Sequence, residues 1–257
     1  MLFSVRALTK QFPNGYEALS GINLDIFEGE CLIVAGANGS GKTLLMRMLA
    51  GLLQPTSGEI FFKGKALREC GKLLRREVGL VFQDSDSQIL GETVEEDIRF
   101  GPENLKLPPA EIENRVNQTL SALKLYEKRD FPARRLSGGE KRRLSVAGIL
   151  AMGCETIIMD EPFANMDWHG VIQVLQIIKN LKERKKNIIV LTHELEKVLA
   201  FADRLVILAG GKIRAIGESE AVLNLLEKSW GVRDPRSSYT SAKDCTWLAP
   251  ELQSKGF

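Results

Sequence analysis

The sequence predicts an α/β fold: a core with a mostly parallel sheet, an antiparallel β subdomain at the N-terminal end and an inserted helical subdomain. Three observations predict it. Short runs that are apolar on both faces recur along the chain, as buried parallel strands require. Helical stretches lie between those runs, which is the α/β pattern. The N-terminal region differs, with alternating apolar and polar positions and glycine punctuation.

Taken in order, "INLDIF" (22–27) alternates and belongs to the antiparallel part. "CLIVA" (31–35) is the first continuous run, followed by a glycine-rich stretch and the helical "LLMRMLAGLL". "GEIFFKGK" (58–65), bracketed by glycines, returns to the antiparallel pattern, and "VGLVF" (78–82) is the next buried strand. Residues 93–135 read as a helical insertion. Thr93 and Glu96 have capping-box spacing. Pro109 suits a first helical turn, and Ile112, Val116, Leu120 and Leu123 fall on one face. With the helix that begins at "LSGGE", the helical subdomain covers about 90–150. "TIIM" (156–159), "NIIVL" (187–191) and "RLVIL" (204–208) complete the parallel strands. Periodicity fades from about Trp230, and "RDPRSSYTSAKD" is polar. The expected organisation is one domain over 1–229 and a C-terminal tail over 230–257.

Composition narrows the function. Of 257 residues, 44% are hydrophobic and 26% charged, which is ordinary for a globular chain. A net charge of +2 gives no electrostatic case for direct nucleic-acid binding. Cys31, Cys70, Cys154 and Cys245 lie far apart with no CxxC pair, so a reducing compartment is expected. The N-terminus has no signal-peptide core, and no run reaches the roughly 18 to 20 apolar residues of a membrane span. The nearest, "VLAFADRLVILA", is interrupted by Asp203 and Arg204. A membrane role would need a partner.

"GANGSGKT" (36–43) fits G-x-x-x-x-G-K-[ST] in full, between a strand and a helix. Backbone N–H groups of such a loop, at Gly36, Asn38, Gly39, Ser40 and Gly41, converge on phosphate oxygens. Lys42 supplies charge toward the β- and γ-phosphates, and the Thr43 hydroxyl suits Mg²⁺. The bland alternative is a glycine turn that caps a helix. "TIIMDEP" places Asp160 at a strand end, as a second ligand for Mg²⁺, and Glu161 next to it, to orient or deprotonate the attacking water. Gln83 and His193 follow two other strands, and ligands bind at this carboxyl edge of a parallel sheet. His193 is expected to donate a hydrogen bond to the γ-phosphate; it also reads as a loop histidine, and Asp167 in "FANMDWHG" as a turn former.

"LSGGEKRRL" (136–144) raises a separate question. Ser137 and Glu140 have capping-box spacing, which alone would account for them. Capping needs neither Gly138 nor Gly139, and Lys141, Arg142 and Arg143 oppose the helix dipole. Exposed amides, a hydroxyl and positive charge read together as an anion site. The first loop already surrounds one γ-phosphate, so the second is expected to serve a nucleotide held by another chain, across a two-fold axis.

In number and order these motifs resemble the ATP-binding cassette (ABC) ATPases, over about residues 1–220. The resemblance implies a P-loop NTPase core, with Walker A at 36–43, Gln83 as the Q-loop, "LSGGE" as the signature, Walker B at 157–161, Asp167 as the D-loop and His193 as the switch histidine. It implies that Ser137, Gly138 and Gly139 reach the γ-phosphate of the opposite subunit and that Gln83 meets the metal and the attacking water. Tyr16, with Phe12 as the alternative, would stack on adenine. ATP and Mg²⁺ are the implied ligands; no N-K-x-D guanine motif is visible. Residues 80–105 ("LVFQDSDSQILGETVEEDIRFGPENL") further resemble the ATPases of energy-coupling-factor transporters, importers of cobalt, nickel and vitamins. There the segment from Asp84, Asp86 and Gln88 to "FGPEN" helps receive coupling helices of an integral membrane subunit. The implied assembly is two ATPase subunits, as homodimer or heterodimer, docked on membrane partners near Gln83 at the cytoplasmic face. Asn165, Met166, Trp168 and Val171 depart from the usual D-loop, where Pro follows the Asp and Arg often occupies the last position; this suits a heterodimer. The competing readings are an ATPase of another ABC transporter subfamily, and a soluble ABC ATPase acting on nucleic acid or the ribosome. The latter carry a long coiled-coil insertion or two cassettes in one chain, neither present here.

Overall fold

The structure, a computed structural model, describes residues 1–236. Of the expected tail, 237–257 with Cys245 lie outside the described residues. The chain runs β1 (Phe3–Gln11), β2 (Glu17–Ile26), β3 (Cys31–Ala35), α1 (Lys42–Leu49), β4 (Ser57–Phe62) and β5 (Lys65–Ala66). Next come α2 (Gly71–Glu77), β6 (Val78–Val81), α3 (Val94–Asn104), α4 (Pro109–Ala122), α5 (Gly138–Met152) and β7 (Thr156–Asp160). It closes with α6 (Trp168–Glu183), β8 (Asn187–Thr192), α7 (Leu195–Val198), β9 (Arg204–Ala209), β10 (Lys212–Gly217) and α8 (Ser219–Leu223).

Two sheets form. The larger has the order β10-β9-β3-β8-β7-β6, with β9, β3, β8, β7 and β6 parallel and β10 antiparallel at the edge. The smaller is antiparallel, in the order β2-β1-β4-β5. The continuous apolar runs follow from coverage on both faces. Ile33, Ile157, Val190 and Ile207 pack with α5 and α6 on one side. Their neighbours Val34, Ile158, Leu191 and Val206 pack with α1 and the antiparallel sheet on the other. Each strand therefore alternates between two apolar layers, with no polar face to show.

Two strands escaped the sequence reading. β1 carries a bulge at Ala7 (φ 45°), with register shifts between Val5 and Leu8, so its buried residues lose their period of two. β10 is an edge strand in which only Ala215 is buried. The helices between β6 and β7 begin as their capping signals require. Thr93 and Glu96 form a reciprocal capping box on α3, and Pro109 opens α4. Ile112, Val116, Leu120 and Leu123 are all buried. Toward the end, packing continues past Trp230, which lies against the core, to buried Val232, and Arg236 bonds Glu220 and Asn224.

Helix α5 sits directly on β6. A Cβ on Gly79 would lie 2.1 Å from Cγ2 of Ile149. Gly79→Ala is expected to destabilise the chain by about 1–3 kcal/mol through overpacking. Thermal unfolding with an unchanged melting temperature would contradict this contact.

Candidate nucleotide site

The sheet sets the geometry. The carboxyl ends of four neighbouring parallel strands carry the expected residues: the 36–43 loop after β3, His193 after β8, Asp160 and Glu161 at β7, and Gln83 beyond β6. The loop can form because its glycines are needed where they stand. A Cβ on Gly36 would meet the Leu208 carbonyl oxygen at 2.3 Å. Gly41, with φ 105°, turns the chain into α1, and a Cβ there would strike Leu19. A cleft of about 490 Å³ opens over this loop. It is lined by Asn38, Gly39, Ser40, Gly41, Lys42 and Thr43, together with Tyr16, Gln83 and Glu161. Tyr16 is 57% exposed and stacks on Phe12, with rings 6.4 Å apart and 13° from parallel.

At its floor the cleft is polar and tightly coupled. Lys42 is buried, and its ammonium donates to the carbonyls of Gly36 (2.6 Å) and Ala37 (3.2 Å). It also lies 3.2 Å from Oε1 of Glu161, an ion pair in which that oxygen accepts no aligned hydrogen bond. The other Glu161 oxygen accepts from the Thr192 hydroxyl (3.1 Å) and the His193 amide (3.2 Å), and lies 2.9 Å from Nδ1 of His193. Glu161 itself is in the left-handed region, at φ 45°. A non-glycine residue there costs on the order of 1–3 kcal/mol, which a fold keeps where a side chain must be aimed. The amide of Glu161 donates to Leu191 at 2.8 Å and holds the turn.

The Thr43 hydroxyl donates to Oδ2 of Asp160 at 2.7 Å. Burial pushes the Asp160 carboxyl up; the Thr43 bond opposes this and the neighbouring Glu161 charge adds to it. Oδ1 of Asp160 and the hydroxyl of Ser40 are buried without partners. A hydroxyl and a carboxylate with a spare oxygen are hard-oxygen donors, the set that suits Mg²⁺ when phosphates complete the shell. Among the described residues no cluster of three or more His, Cys, Asp or Glu could hold a metal alone.

The second glycine-rich stretch does not line this cleft. Ser137 begins α5 as half of a capping box: its hydroxyl accepts from the Glu140 amide and the Glu140 carboxylate accepts from the Ser137 amide. A Cβ on Gly138 would meet nothing within 4 Å. The three following cations are spent inside the chain, against the expectation that they contribute charge to an anion site. Lys141 pairs with Asp86 at 2.5 Å, Arg143 binds Gln173, and Arg142 turns inward to the carbonyls of Phe82 and Gln83. Asp167 caps α6, accepting from the Gly170 amide at 2.7 Å, while Trp168 beside it is 74% exposed. Gln88 closes its own loop, donating to Leu80 and accepting from the Phe82 amide.

Comparison with known proteins decides the family. The ABC transporter family model matches residues 19–164. The chain belongs to the ABC transporter family. It is 41% identical to the cobalt import ATP-binding protein CbiO of Rhodobacter capsulatus, over 87% of this chain and 81% of that protein. It is 38% identical to the energy-coupling factor transporter ATP-binding protein EcfA of Methanocaldococcus jannaschii, over 89% and 84%. The solved structure of cbiO1 from Clostridium perfringens, part of the ABC transporter complex cbiONQ, superposes with a TM-score of 0.80 at 34% identity, covering 89% of this chain and 92% of that one. As an ABC ATPase the chain binds and hydrolyses ATP. No described helix is long and apolar enough to cross a membrane.

Two features of this ABC ATPase were not read from sequence. One is the Lys42–Glu161 pair, formed between segments more than a hundred residues apart and aimed by a backbone conformation that carries no sequence signature. The other is the inward turn of Arg142. Three cations against a helix dipole were its only signal.

Proposed function

We propose that this chain is the ATP-hydrolysing subunit of a membrane importer of the energy-coupling-factor type, taking up a metal ion or a vitamin. One observation carries the residue roles: Lys42, Thr43, Gln83 and Glu161 meet in a single cleft beside Tyr16, with Asp160 bonded to Thr43. The names of the relatives, cobalt import and energy-coupling factor among them, support the class of transporter.

In this reading residues 1–229 form the ABC ATPase domain, with the helical subdomain at about 90–150, and Tyr16 stacks on adenine. The amides of the 36–43 loop and Lys42 hold the phosphates. Thr43, Asp160 and Gln83 would hold Mg²⁺, which when bound neutralises charge on the phosphates. Glu161 takes a proton from the attacking water, and His193 holds the Glu161 carboxylate in place. Water adds to the γ-phosphorus, the bond to the bridging oxygen breaks, and ADP and phosphate leave. A second ATPase subunit, identical or not, supplies Ser137, Gly138, Gly139 and Asp167 to the same nucleotide. ATP closes the pair and hydrolysis loosens it. That motion is delivered to integral membrane subunits docked near Gln83 and the 84–105 segment, at the cytoplasmic face. Direct nucleic-acid contact has no part in it.

Purification from native membranes through a tag on this chain tests the assembly. The expected result is ATPase activity in a complex with at least one integral membrane protein. Recovery of the chain alone, from membranes solubilised without loss of other transporters, would refute it.

A further inference from the structure

Strand β6 ends at Val81, and the carbonyls of Phe82 and Gln83 leave the sheet without a strand partner. One side chain serves both. Arg142, in the second turn of α5, donates from Nη1 to Phe82 and from Nη2 to Gln83, the latter at 2.8 Å. It is 2% exposed, among the largest buried side chains of the protein, and its Nε has no partner. Its neighbours Lys141 and Arg143 have the carboxylates Asp86 and Glu140 within reach, whereas Arg142 has two peptide dipoles.

A buried cation without a carboxylate beside it is costly, and an aliphatic side chain of similar volume would fill the same space more cheaply. Burial pushes its pKa down to about 10, so it stays charged at neutral pH; Asp160 and Asp84 act in the opposite direction. The planar fork is what the position uses. Two parallel donors fix two consecutive carbonyls, and so fix the peptide between them in rotation as well as position. That peptide leads into Gln83, which lines the cleft. Elsewhere Gln88 closes the loop on itself by bonding Leu80 and Phe82, and Lys141 adds a second tie from the same helix end, to Asp86.

We propose that Arg142 is a positioning residue for ATP hydrolysis, holding the backbone at Gln83 from the first turns of α5 so that Gln83 keeps its place in the lining of the cleft. Arg142 touches no reacting atom. It makes the Gln83 loop and the Ser137–Gly139 helix tip one mechanical unit, so a shift of either moves the other. This rests on the reading of Gln83 as a ligand of metal and water given above.

The test is a double-mutant cycle in the assembled transporter, with Arg142→Met, Gln83→Ala and the pair. Two quantities are read: kcat and KM for ATP, and the factor by which Mg²⁺ tightens ATP binding relative to EDTA. A displaced reacting geometry costs on the order of a hundredfold. Arg142→Met is therefore expected to lower kcat by about ten- to a hundredfold, with KM and metal-free affinity within about twofold. It should shrink the Mg²⁺ factor as Gln83→Ala does, and the double variant should be no worse than Gln83→Ala alone. Arg142→Lys, which keeps the charge and loses the fork, should fall between, and it carries the same cycle if Arg142→Met fails to fold. Losses that add in the double variant overturn the inference while leaving the Gln83 reading intact. So does a fall in metal-free affinity that tracks a lowered melting temperature. A Gln83→Ala variant with normal kcat and normal Mg²⁺ factor overturns the Gln83 reading, and the inference with it.

Discussion

Replacing Glu161 with Gln is expected to leave ATP bound and to abolish turnover, by about 10²- to 10⁴-fold in single-turnover hydrolysis by the assembled transporter. The structure separates the two outcomes. The amide has the shape of the carboxylate, and its oxygen can still accept from the Thr192 hydroxyl and the His193 amide, which now hold one Glu161 oxygen at 3.1 and 3.2 Å. The turn at the left-handed residue therefore keeps its partners; the amide NH2, left on the Lys42 side, is a donor facing a cation and turns the ammonium away from it. Two things are lost: the basic oxygen, and the negative charge 3.2 Å from the Lys42 ammonium. That charge competes with phosphate for Lys42, so its removal should hold or raise nucleotide affinity. Fluorescent-nucleotide titration beside single-turnover rates reads both effects. Hydrolysis at the wild-type rate would remove Glu161 from the role of base. Intact hydrolysis chemistry with weakened binding would show instead that the Lys42 pair organises the loop.

Most of the architecture that carries this site was legible in the chain. The five parallel strands announce themselves because both faces of the sheet are covered, so "CLIVA" and "NIIVL" have no polar side to break the run. The phosphate loop is legible because it is local: glycines, lysine and threonine lie within eight residues and act through backbone geometry. What stayed hidden is either irregular or distant. The bulge at Ala7 hides β1, and the exposed edge hides β10. The Arg142 contacts join residues 59 and 60 positions apart, and no pattern in either segment names the other. The Lys141–Asp86 pair is equally remote in sequence. At Ser137 the sequence offered a capping box and an anion site; the capping box is present within the chain, and the cations assigned to the anion site turn elsewhere. Gly139 has a reason inside the chain, since a Cβ there would lie 3.2 Å from Oε1 of Gln173 and 3.5 Å from Cα of Gly170 where α5 meets α6. That leaves Gly138 as the part of the motif for which a single copy gives no account.

Gly138 turns that gap into the sharpest test of the shared site. Within one chain nothing asks for glycine there. A Cβ would enter open space, the residue is the first of α5, and its backbone is not in the left-handed region. Glycine in a helix costs about 0.5–1 kcal/mol relative to alanine. An aspartate in the first turn also gains about 0.3–1 kcal/mol from the helix dipole. Gly138→Asp should therefore leave the isolated chain as stable as the wild type or more so, and leave its own cleft, which Gly138 does not line, with unchanged affinity for ATP. If the helix tip closes over a triphosphate held by a second ATPase subunit, the same substitution sets a carboxylate against phosphate. Two like charges about 4 Å apart in a partly buried interface repel by about 4 kcal/mol, enough to cut association more than a hundredfold. The decisive measurement is ATP-dependent association of the ATPase subunits, followed by light scattering in a Glu161→Gln background that keeps the closed form from turning over. A stable, ATP-binding Gly138→Asp chain that no longer associates is the expected result. Association at wild-type strength would mean that this helix tip approaches no nucleotide, and Gly138 would then need a reason inside the chain that its geometry does not offer.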